Sequence, residues 1–160
     1  MMGFLARLWG SAEPSLSQAD AGDAAQLAAL HAASFRRGWS EEEMERLLLD
    51  HSVIAHRALL QRRLAGFILS RRAADEAEIL SVAVGRRQRG RGLARRLLHL
   101  HLRSLAGCGV RAVFLEVDED NAAARRLYAG AGFREVSRRQ GYYRHDDGRP
   151  STAVVLRRDL

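Results

Sequence analysis

The amino-acid sequence predicts an α/β or α+β domain built on a mixed sheet. Two stretches, 77–84 and 112–117, are almost continuously apolar, as expected of buried central strands. Between them, a loop of glycines and arginines at 85–91 gives way to an apolar pattern with a helical period. A chain of 160 residues, 47% of them hydrophobic and 28% charged, suits one domain with its own core. We assign this domain to residues 14–160 and expect residues 1–13 to be an N-terminal extension.

The N-terminal half is predicted to contain two helices followed by a pair of strands. A helical apolar period runs over residues 20–35. Ser40 followed by Glu43 has the pattern of a capping box, which predicts the start of a second helix. Residues 52–60 and 63–71 are apolar enough for two strands joined by a tight turn.

The C-terminal half is predicted to contain two further helices. From Gly92 a broad apolar face recurs at helical spacing, and a shorter helix is expected over 121–131, stopped by Gly132. Residues 134–140 and 152–157 are the final predicted strands. The predicted order is therefore strand, two helices, three strands, helix, strand, helix, two strands.

The charge and cysteine content narrow the class of protein. The net charge is +7 and all 26 basic residues are arginines, which favours anionic partners such as nucleotide phosphates, coenzyme A or RNA. The arginines occur in short pairs rather than in a long run, so a nucleic-acid-binding tail is not indicated. The single cysteine, Cys108, excludes an intrachain disulfide and suits a reducing cytoplasm. The histidines are scattered along the chain, and we expect neither a metal site nor a membrane-spanning segment.

The most informative segment is 82–95, where a strand leads into a glycine-rich loop that opens a helix. Such a loop presents unpaired backbone N–H groups at the positive end of the helix dipole, which favours phosphate binding. It is not a Walker loop, because arginine and glycine follow Gly90 where lysine and a hydroxyl residue are needed. It is not a dinucleotide fingerprint either, because Arg95 stands where glycine or alanine is required. A purely structural connection is the alternative.

Two patterns carry a family resemblance. Residues 89–94, Arg-Gly-Arg-Gly-Leu-Ala, fit the acetyl-coenzyme A loop Gln/Arg-x-x-Gly-x-Gly/Ala in full. Residues 121–133 match Asn-x-x-Ala-x-x-Leu-Tyr-x-x-x-Gly-Phe at every defined position. In this order and on these elements, the patterns resemble the GNAT superfamily of N-acetyltransferases over nearly the whole chain. The resemblance implies the GNAT fold, a mostly antiparallel twisted sheet of six to seven strands flanked by four helices, with acetyl-CoA as co-substrate and no metal.

Within that superfamily the chain is most similar to the bacterial ribosomal-protein-alanine N-acetyltransferases. The similar segments are 35–40, 115–128 and 141–149. One departure is Gly85, where that family usually has Asp followed by Pro. The resemblance implies that the acceptor is the N-terminal α-amine of a small-subunit ribosomal protein beginning with alanine. It also implies a cytoplasmic monomer or weak homodimer that needs neither nucleic acid nor a membrane.

The resemblance assigns two catalytic roles. Glu116, near the end of a buried strand, is implied to be the general base, acting through a water molecule. Its alternative is an ion pair with one of the many arginines. Tyr128 is implied to be the general acid that protonates the coenzyme A thiolate, and its alternative is packing in the core.

The binding residues follow from the same resemblance. The expected coenzyme-binding residues are the amides of one strand end, the glycine loop and a helix-capping asparagine: Val82, Ala83, Val84, Arg89, Gly90, Arg91, Gly92, Leu93, Ala94, Arg95 and Asn121. Trp39, Tyr142 and Tyr143 are the expected acceptor-binding residues, with ordinary strand aromatics as the alternative for the tyrosines.

Other functions remain open from sequence. One is acetylation of lysine side chains or of a small amine, and another is a non-catalytic acyl-CoA- or RNA-binding module. An α-amine has a pKa of ~7.7–8.0 and a lysine one of ~10.4, so the α-amine is neutral several hundred times more often at neutral pH. A modest base therefore suffices for an N-terminus.

Overall fold

The structure, a computed structural model, describes residues 12–160. Its strands are β1 (Ser15–Gln18), β2 (Val53–Leu60), β3 (Arg63–Ala73), β4 (Glu76–Val84), β5 (Ala112–Asp118), β6 (Arg134–Arg144) and β7 (Pro150–Asp159). Its helices are α1 (Ala24–Ser34), α2 (Glu41–Leu49), α3 (Leu93–Gly107) and α4 (Ala122–Gly130). The described residues form one seven-stranded sheet in the order β1-β2-β3-β4-β5-β7-β6, in which only the β4–β5 pair is parallel. The predicted element order and the mixed, mostly antiparallel sheet are confirmed.

The helix starts follow local capping chemistry. The Ser40 side chain accepts the backbone N–H of Glu43 at 3.1 Å, and the Glu43 carboxylate accepts that of Ser40 at 2.8 Å. This confirms the predicted capping box of α2. The prediction of a single helix from Asp20 is wrong in its first turn, because Asp20 caps a short 3-10 turn at Ala21–Asp23 and α1 begins only afterwards.

The sheet carries an apolar layer on each face. One layer packs β-strand residues against α3 and α4 and includes the fully buried Leu97, Leu98 and Leu105. The other packs Phe67 and Leu69 against α1 and α2. The main sheet contacts of α1 and α2 are with β2, β3 and β4, so these helices cover the first half of the sheet.

The sheet separates in the middle. β4 and β5 pair only over Glu76–Glu78 and Ala112–Phe114, while β4 continues alongside β3 to Val84. In the β3–β4 ladder the register shifts between Ile79 and Ser81, so Leu80 is an extra residue on β4. It lies two residues after Glu78, the last residue of β4 that pairs with β5. Bulges increase strand twist, so this one turns the end of β4 away from β5. Beyond Glu78 and Phe114 the two strands are therefore separated.

The last two strands are longer than predicted. β6 extends to Arg144 and β7 begins at Pro150. The end of β6 was not predictable because this exposed edge strand has no apolar alternation that would mark it. Between Arg139 and Tyr143 the β6–β7 register shifts, and Gly141 there has a φ of +67°. No helix within residues 12–160 has both the length and the apolar character needed to cross a bilayer.

Candidate active site

A cleft of about 630 Å³ opens between the end of β4, the start of α3 and one face of α4. We call it the cofactor cleft. The predicted coenzyme-binding residues that line it are Val82, Ala83, Val84, Arg89, Gly90, Gly92, Leu93, Ala94, Arg95 and Asn121. Arg91 is exposed and does not belong to the lining. The two segments that sequence patterns singled out separately, 89–95 and 121–128, therefore meet at one place.

The start of α3 supplies free amides to this cleft. The first backbone hydrogen bond of the helix runs from the N–H of Arg96 to the carbonyl of Gly92 at 3.1 Å. The N–H groups of residues 93–95 precede that bond and have no acceptor within the helix. They lie at the positive end of the helix dipole, where an anion is stabilised. The cleft therefore has the donors that a phosphate group needs.

The glycines of the loop leave the approach to these amides open. Gly90 and Gly92 have φ angles of +73° and +77°, in the left-handed region that favours glycine. No heavy atom lies within 4 Å of the position that a Cβ would take at either residue. Arg89 ties the loop to the sheet, because its Nε donates to the carbonyl oxygen of Val84 at 3.0 Å.

Asn121 and Tyr128 stand on the α4 side of the cofactor cleft. The Asn121 side-chain oxygen accepts the N–H of Ala124 at 3.1 Å, which confirms its predicted capping of α4. Tyr128 is buried, and its ring meets that of Phe133 edge-on with centroids 5.6 Å apart. Burial raises the pKa of Tyr128 to about 12. The phenol therefore stays protonated throughout the neutral range.

Glu116 lies on β5, beyond the point at which β4 and β5 part. Its neighbours Leu115 and Val117 belong to the apolar layer beneath α3 and α4, so Glu116 faces the opposite side of the sheet. The Glu116 side chain is 23% exposed and pairs with Arg139, whose Nη1 lies 3.3 Å from its carboxylate. The ion pair that sequence analysis kept as the alternative for Glu116 is thus present.

The two tyrosines of β6 gather beside this ion pair. The Arg139 guanidinium lies over the Tyr142 ring, 5.6 Å from its centroid, and the rings of Tyr142 and Tyr143 meet edge-on at 5.3 Å. Burial raises the pKa of Tyr143, and the negative charge of Glu116 raises it further. We call the surface formed by Glu116, Arg139, Tyr142 and Tyr143 the acceptor face.

Trp39 lies outside both the cofactor cleft and the acceptor face. Its ring stacks on His31 with centroids 4.1 Å apart, and its backbone N–H donates to His31 Nδ1 at 3.1 Å. Burial lowers the pKa of His31, which keeps the imidazole a neutral acceptor. Trp39 lines a separate groove of about 480 Å³ that also contains Asp50 and Leu80. Its role in acceptor binding stays a prediction.

Sequence reasoning missed a buried histidine pair between β2 and α3. The Nδ1 atoms of His56 and His101 lie 2.8 Å apart, and Nε2 of His101 lies 2.6 Å from the Ser70 hydroxyl. The expectation that the histidines are scattered is wrong for these two. Position 101 falls on the apolar stripe of α3, four residues after Leu97, and that spacing was the available signal.

Asp118, Asp120 and His145 were also missed as a group. Their ligand-type atoms lie within 4.8 Å of one another, beside the end of β5. His145 Nε2 lies 2.8 Å from an Asp120 carboxylate oxygen, and the Ser151 hydroxyl donates to Asp118 at 2.5 Å. These bonds tie the β6–β7 hairpin to the loop before α4.

Comparison with known proteins agrees with this geometry. The chain is 36% identical over 93 residues to the [ribosomal protein bS18]-alanine N-acetyltransferase of Escherichia coli (strain K12), covering 58% of this chain and 63% of that one. It is 41% identical over 91 residues to the N-alpha-acetyltransferase RimI of Mycobacterium tuberculosis, covering 57% and 54%. The alignments thus span less than two thirds of these relatives.

Solved structures extend the likeness to the whole fold. The crystal structure of the ribosomal-protein-S18-alanine N-acetyltransferase from Escherichia coli superposes with a TM-score of 0.86 at 26% identity, over 92% of this chain and 94% of that one. An acetyltransferase of the GNAT family from Streptococcus pneumoniae shares the fold, with a TM-score of 0.80 at 22% identity over 92% and 100%. The family model described as acetyltransferase (GNAT) family matches residues 24–133. The chain belongs to the acetyltransferase (GNAT) family.

Proposed function

We propose that this protein transfers the acetyl group of acetyl-CoA to the N-terminal α-amine of a protein. The observation that carries the proposal is the cofactor cleft, where the free amides at the start of α3 meet the separated end of β4. Family membership supports the reaction class. The relatives named for ribosomal protein bS18-alanine acetylation support, as the acceptor, a small-subunit ribosomal protein that begins with alanine. Such a reaction takes place in the cytoplasm and needs neither nucleic acid nor a membrane.

The residues present fit acetyl-CoA, which supplies an acetyl group activated as a thioester. The amides of residues 93–95 would hold its phosphates. The amides of Val82 to Val84 would run beside its arm and donate to the thioester oxygen as that oxygen gains charge. In comparable hydrogen-bonding sites one such donor contributes about 2.7–4 kcal/mol in the transition state.

Glu116 and Tyr128 would handle the two protons. Glu116 accepts a proton from the acceptor amine, through a water molecule, so that the nitrogen lone pair is free to attack. Tyr128 donates its phenolic proton to the departing thiolate, because its raised pKa of about 12 keeps it protonated until the sulfur gains charge. The Glu116–Arg139 ion pair holds the Glu116 side chain at the acceptor face before the amine arrives.

A two-peptide assay tests this function. The first peptide begins with alanine and has a free N-terminus, and the second has the same sequence with a blocked N-terminus and an internal lysine. We expect release of coenzyme A and a mass gain of one acetyl group with the first peptide, and much slower reaction with the second. Preferential modification of the lysine would overturn the N-terminal assignment. No release of coenzyme A with either peptide would overturn acetyl transfer to protein amines.

A further inference from the structure

Arg139 reaches Glu116 across an intervening strand. The two residues lie on β6 and β5, and β7 runs between them. Arg139 is opposite Ala153 in the β6–β7 ladder, and Ala153 is opposite Asp118 in the β5–β7 ladder. Because alanine is short, the Arg139 side chain can cross this row and place Nη1 at 3.3 Å from the Glu116 carboxylate.

A wide bulge in β6 sets the position of this guanidinium. Between Arg139 and Tyr143, β6 has three residues where β7 has only Thr152. Gly141 turns the chain there with a φ of +67°, and Tyr142 lies under the guanidinium at 5.6 Å. A cation over an aromatic face is stabilised by about 0.5–1 kcal/mol at an exposed site. The bulge and the ring thus hold a fixed positive charge beside the proposed base.

Other ionisable groups face this pair from the neighbouring elements. They are Asp118 on β5, Tyr142 and Tyr143 on β6, Asp120 before α4 and His145 in the β6–β7 turn. The two aspartates are engaged by hydroxyl and imidazole partners, through Ser151 and His145. Burial and the nearby carboxylates raise the pKa of Tyr143, so its phenol stays neutral. Arg139 is the cation in contact with Glu116.

We infer that Arg139 is a specificity-determining residue, whose charge beside Glu116 disfavours protonated acceptors and so favours α-amines over lysine side chains. The inference rests on the proposed function. An unpaired Glu116 would attract any ammonium group equally. With Arg139 in place the carboxylate is already neutralised, so an incoming ammonium meets a like charge at close range. A neutral amine meets no such repulsion and still has a lone pair for attack.

The difference in proton affinity turns this repulsion into selectivity. Near pH 7.5 about a quarter to two-fifths of α-amines are neutral, against roughly a thousandth of lysine side chains. The repulsion therefore acts on nearly all lysine side chains but on only a part of the α-amines. Even in water, the repulsion between two like unit charges ~5 Å apart lowers the occupancy of the site by a protonated acceptor several-fold. Because the Arg139 side chain is 58% exposed, water screens its charge, and we expect it to lower the binding of a protonated acceptor by only about 3–10-fold.

The test compares Arg139→Gln with wild type on the two peptides of the function assay, from about pH 6.5 to about 9.5. Near pH 8.5, where the α-amine is mostly neutral and the lysine mostly protonated, we expect the ratio of kcat/KM for the lysine peptide to that for the α-amine peptide to rise about 3–10-fold in Arg139→Gln. Below pH 7.5, where the α-amine is mostly protonated, the KM of Arg139→Gln for the α-amine peptide should be lower than that of wild type. Arg139→Lys keeps the charge and should keep the wild-type ratio.

The chain offers matched controls. Arg138 is adjacent, pairs with Glu119 and Glu135 instead of Glu116, and Arg138→Gln should leave the ratio unchanged. His145→Gln removes the imidazole partner of Asp120 and should also leave the ratio unchanged. An effect of His145→Gln equal to that of Arg139→Gln would overturn the inference.

Salt supplies a test that needs no variant. Raising the ionic strength from about 0.05 M to about 0.5 M screens an exposed charge, so wild-type selectivity for the α-amine should decline. The inference is overturned if wild type acetylates the α-amine peptide while neither salt nor Arg139→Gln changes the ratio. A wild-type protein inactive on both peptides would instead refute the proposed function, so the two failures are distinguishable.

Discussion

The cofactor cleft and the acceptor face are neighbours built from different materials. The cleft is lined by the main chain of Val82 to Val84 and by residues 93–95 at the start of α3, and backbone amides do not titrate. The acceptor face presents ionisable side chains, Glu116 from β5 and Arg139 and Tyr143 from β6. We therefore propose that the protein binds its constant ligand with main chain and selects its variable ligand with charge. Acetyl-CoA binding should therefore be nearly independent of pH, and acceptor turnover should not.

Replacing the proposed base should produce the largest effect. Glu116→Gln should lower turnover by about 10²–10⁴-fold near pH 7, because the amine loses its proton acceptor. The defect should shrink as pH rises past the acceptor's own pKa, since the nucleophile then arrives neutral. A lysine acceptor should need about 2.5 pH units more for the same rescue.

The comparison predicts that this variant leaves the cleft intact. Calorimetry should give the same acetyl-CoA dissociation constant for Glu116→Gln as for wild type. Undiminished turnover of Glu116→Gln near pH 7 would contradict the base assignment, and weakened acetyl-CoA binding would contradict the separation of the two regions.

Acid should destabilise the packing of α3 on β2. Burial, and then the neighbouring His56, lower the pKa of His101 to about 3, and burial also lowers the pKa of His56. In the unfolded chain both imidazoles protonate near pH 6.5. The neutral pair therefore stabilises the fold fully above that pH, and the contribution is lost progressively as pH falls toward about 3.

The expected loss is measurable by unfolding in urea. Between pH 6.5 and pH 4.5, His101 alone should lower the free energy of unfolding by about 2–3 kcal/mol. His99 lies exposed on the same helix, so His99→Gln should keep this slope while His101→Gln should flatten it. A wild-type protein equally stable at both pH values would show that the buried pair is protonated without cost.

Gly92 tests whether the cleft works through close backbone approach. Gly92→Val should weaken acetyl-CoA binding by about 10–100-fold, because the side chain fills open space beside the amides and strains a φ of +77°. Circular dichroism should show the fold retained. Gly107→Val is the matched control, since Gly107 ends the same helix and a Cβ there would also have no heavy atom within 4 Å. Equal affinity of Gly92→Val and wild type would refute the phosphate site.

The same contrast explains what sequence could and could not predict. The cleft is lined mainly by three contiguous segments, 82–84, 88–95 and 121–128, whose strand, glycine and cap signals are local, so most of its lining was predictable. Ser34 and Phe35, at the end of α1, also line it and were not predicted. The acceptor face depends on the register between β5, β7 and β6. Two register shifts in β6, between Glu135 and Ser137 and between Arg139 and Tyr143, bound the row in which Arg139 lies, and no local pattern encodes them. The contact between His56 and His101 likewise needs the packing of α3 on β2.

Tyr128 sharpens the comparison because it belongs to the cleft yet is proposed to act on a proton. Tyr128→Phe should lower turnover by about tenfold, less than the 10²–10⁴-fold typical of general acid catalysis. The leaving thiolate needs little help, because an ordinary thiol has a pKa of ~8.5, and burial has made this phenol a weak acid with a pKa of about 12.

The acetyl-CoA dissociation constant should stay nearly unchanged, because only a transition-state interaction is lost. The pH dependence should keep its shape below about pH 10, because a phenol that stays protonated contributes no ionisation in that range. Pre-steady-state and steady-state rates of coenzyme A release give the turnover. Calorimetry on the same preparation gives the acetyl-CoA dissociation constant. Turnover within about twofold of wild type would show that Tyr128 packs against Phe133 without donating a proton.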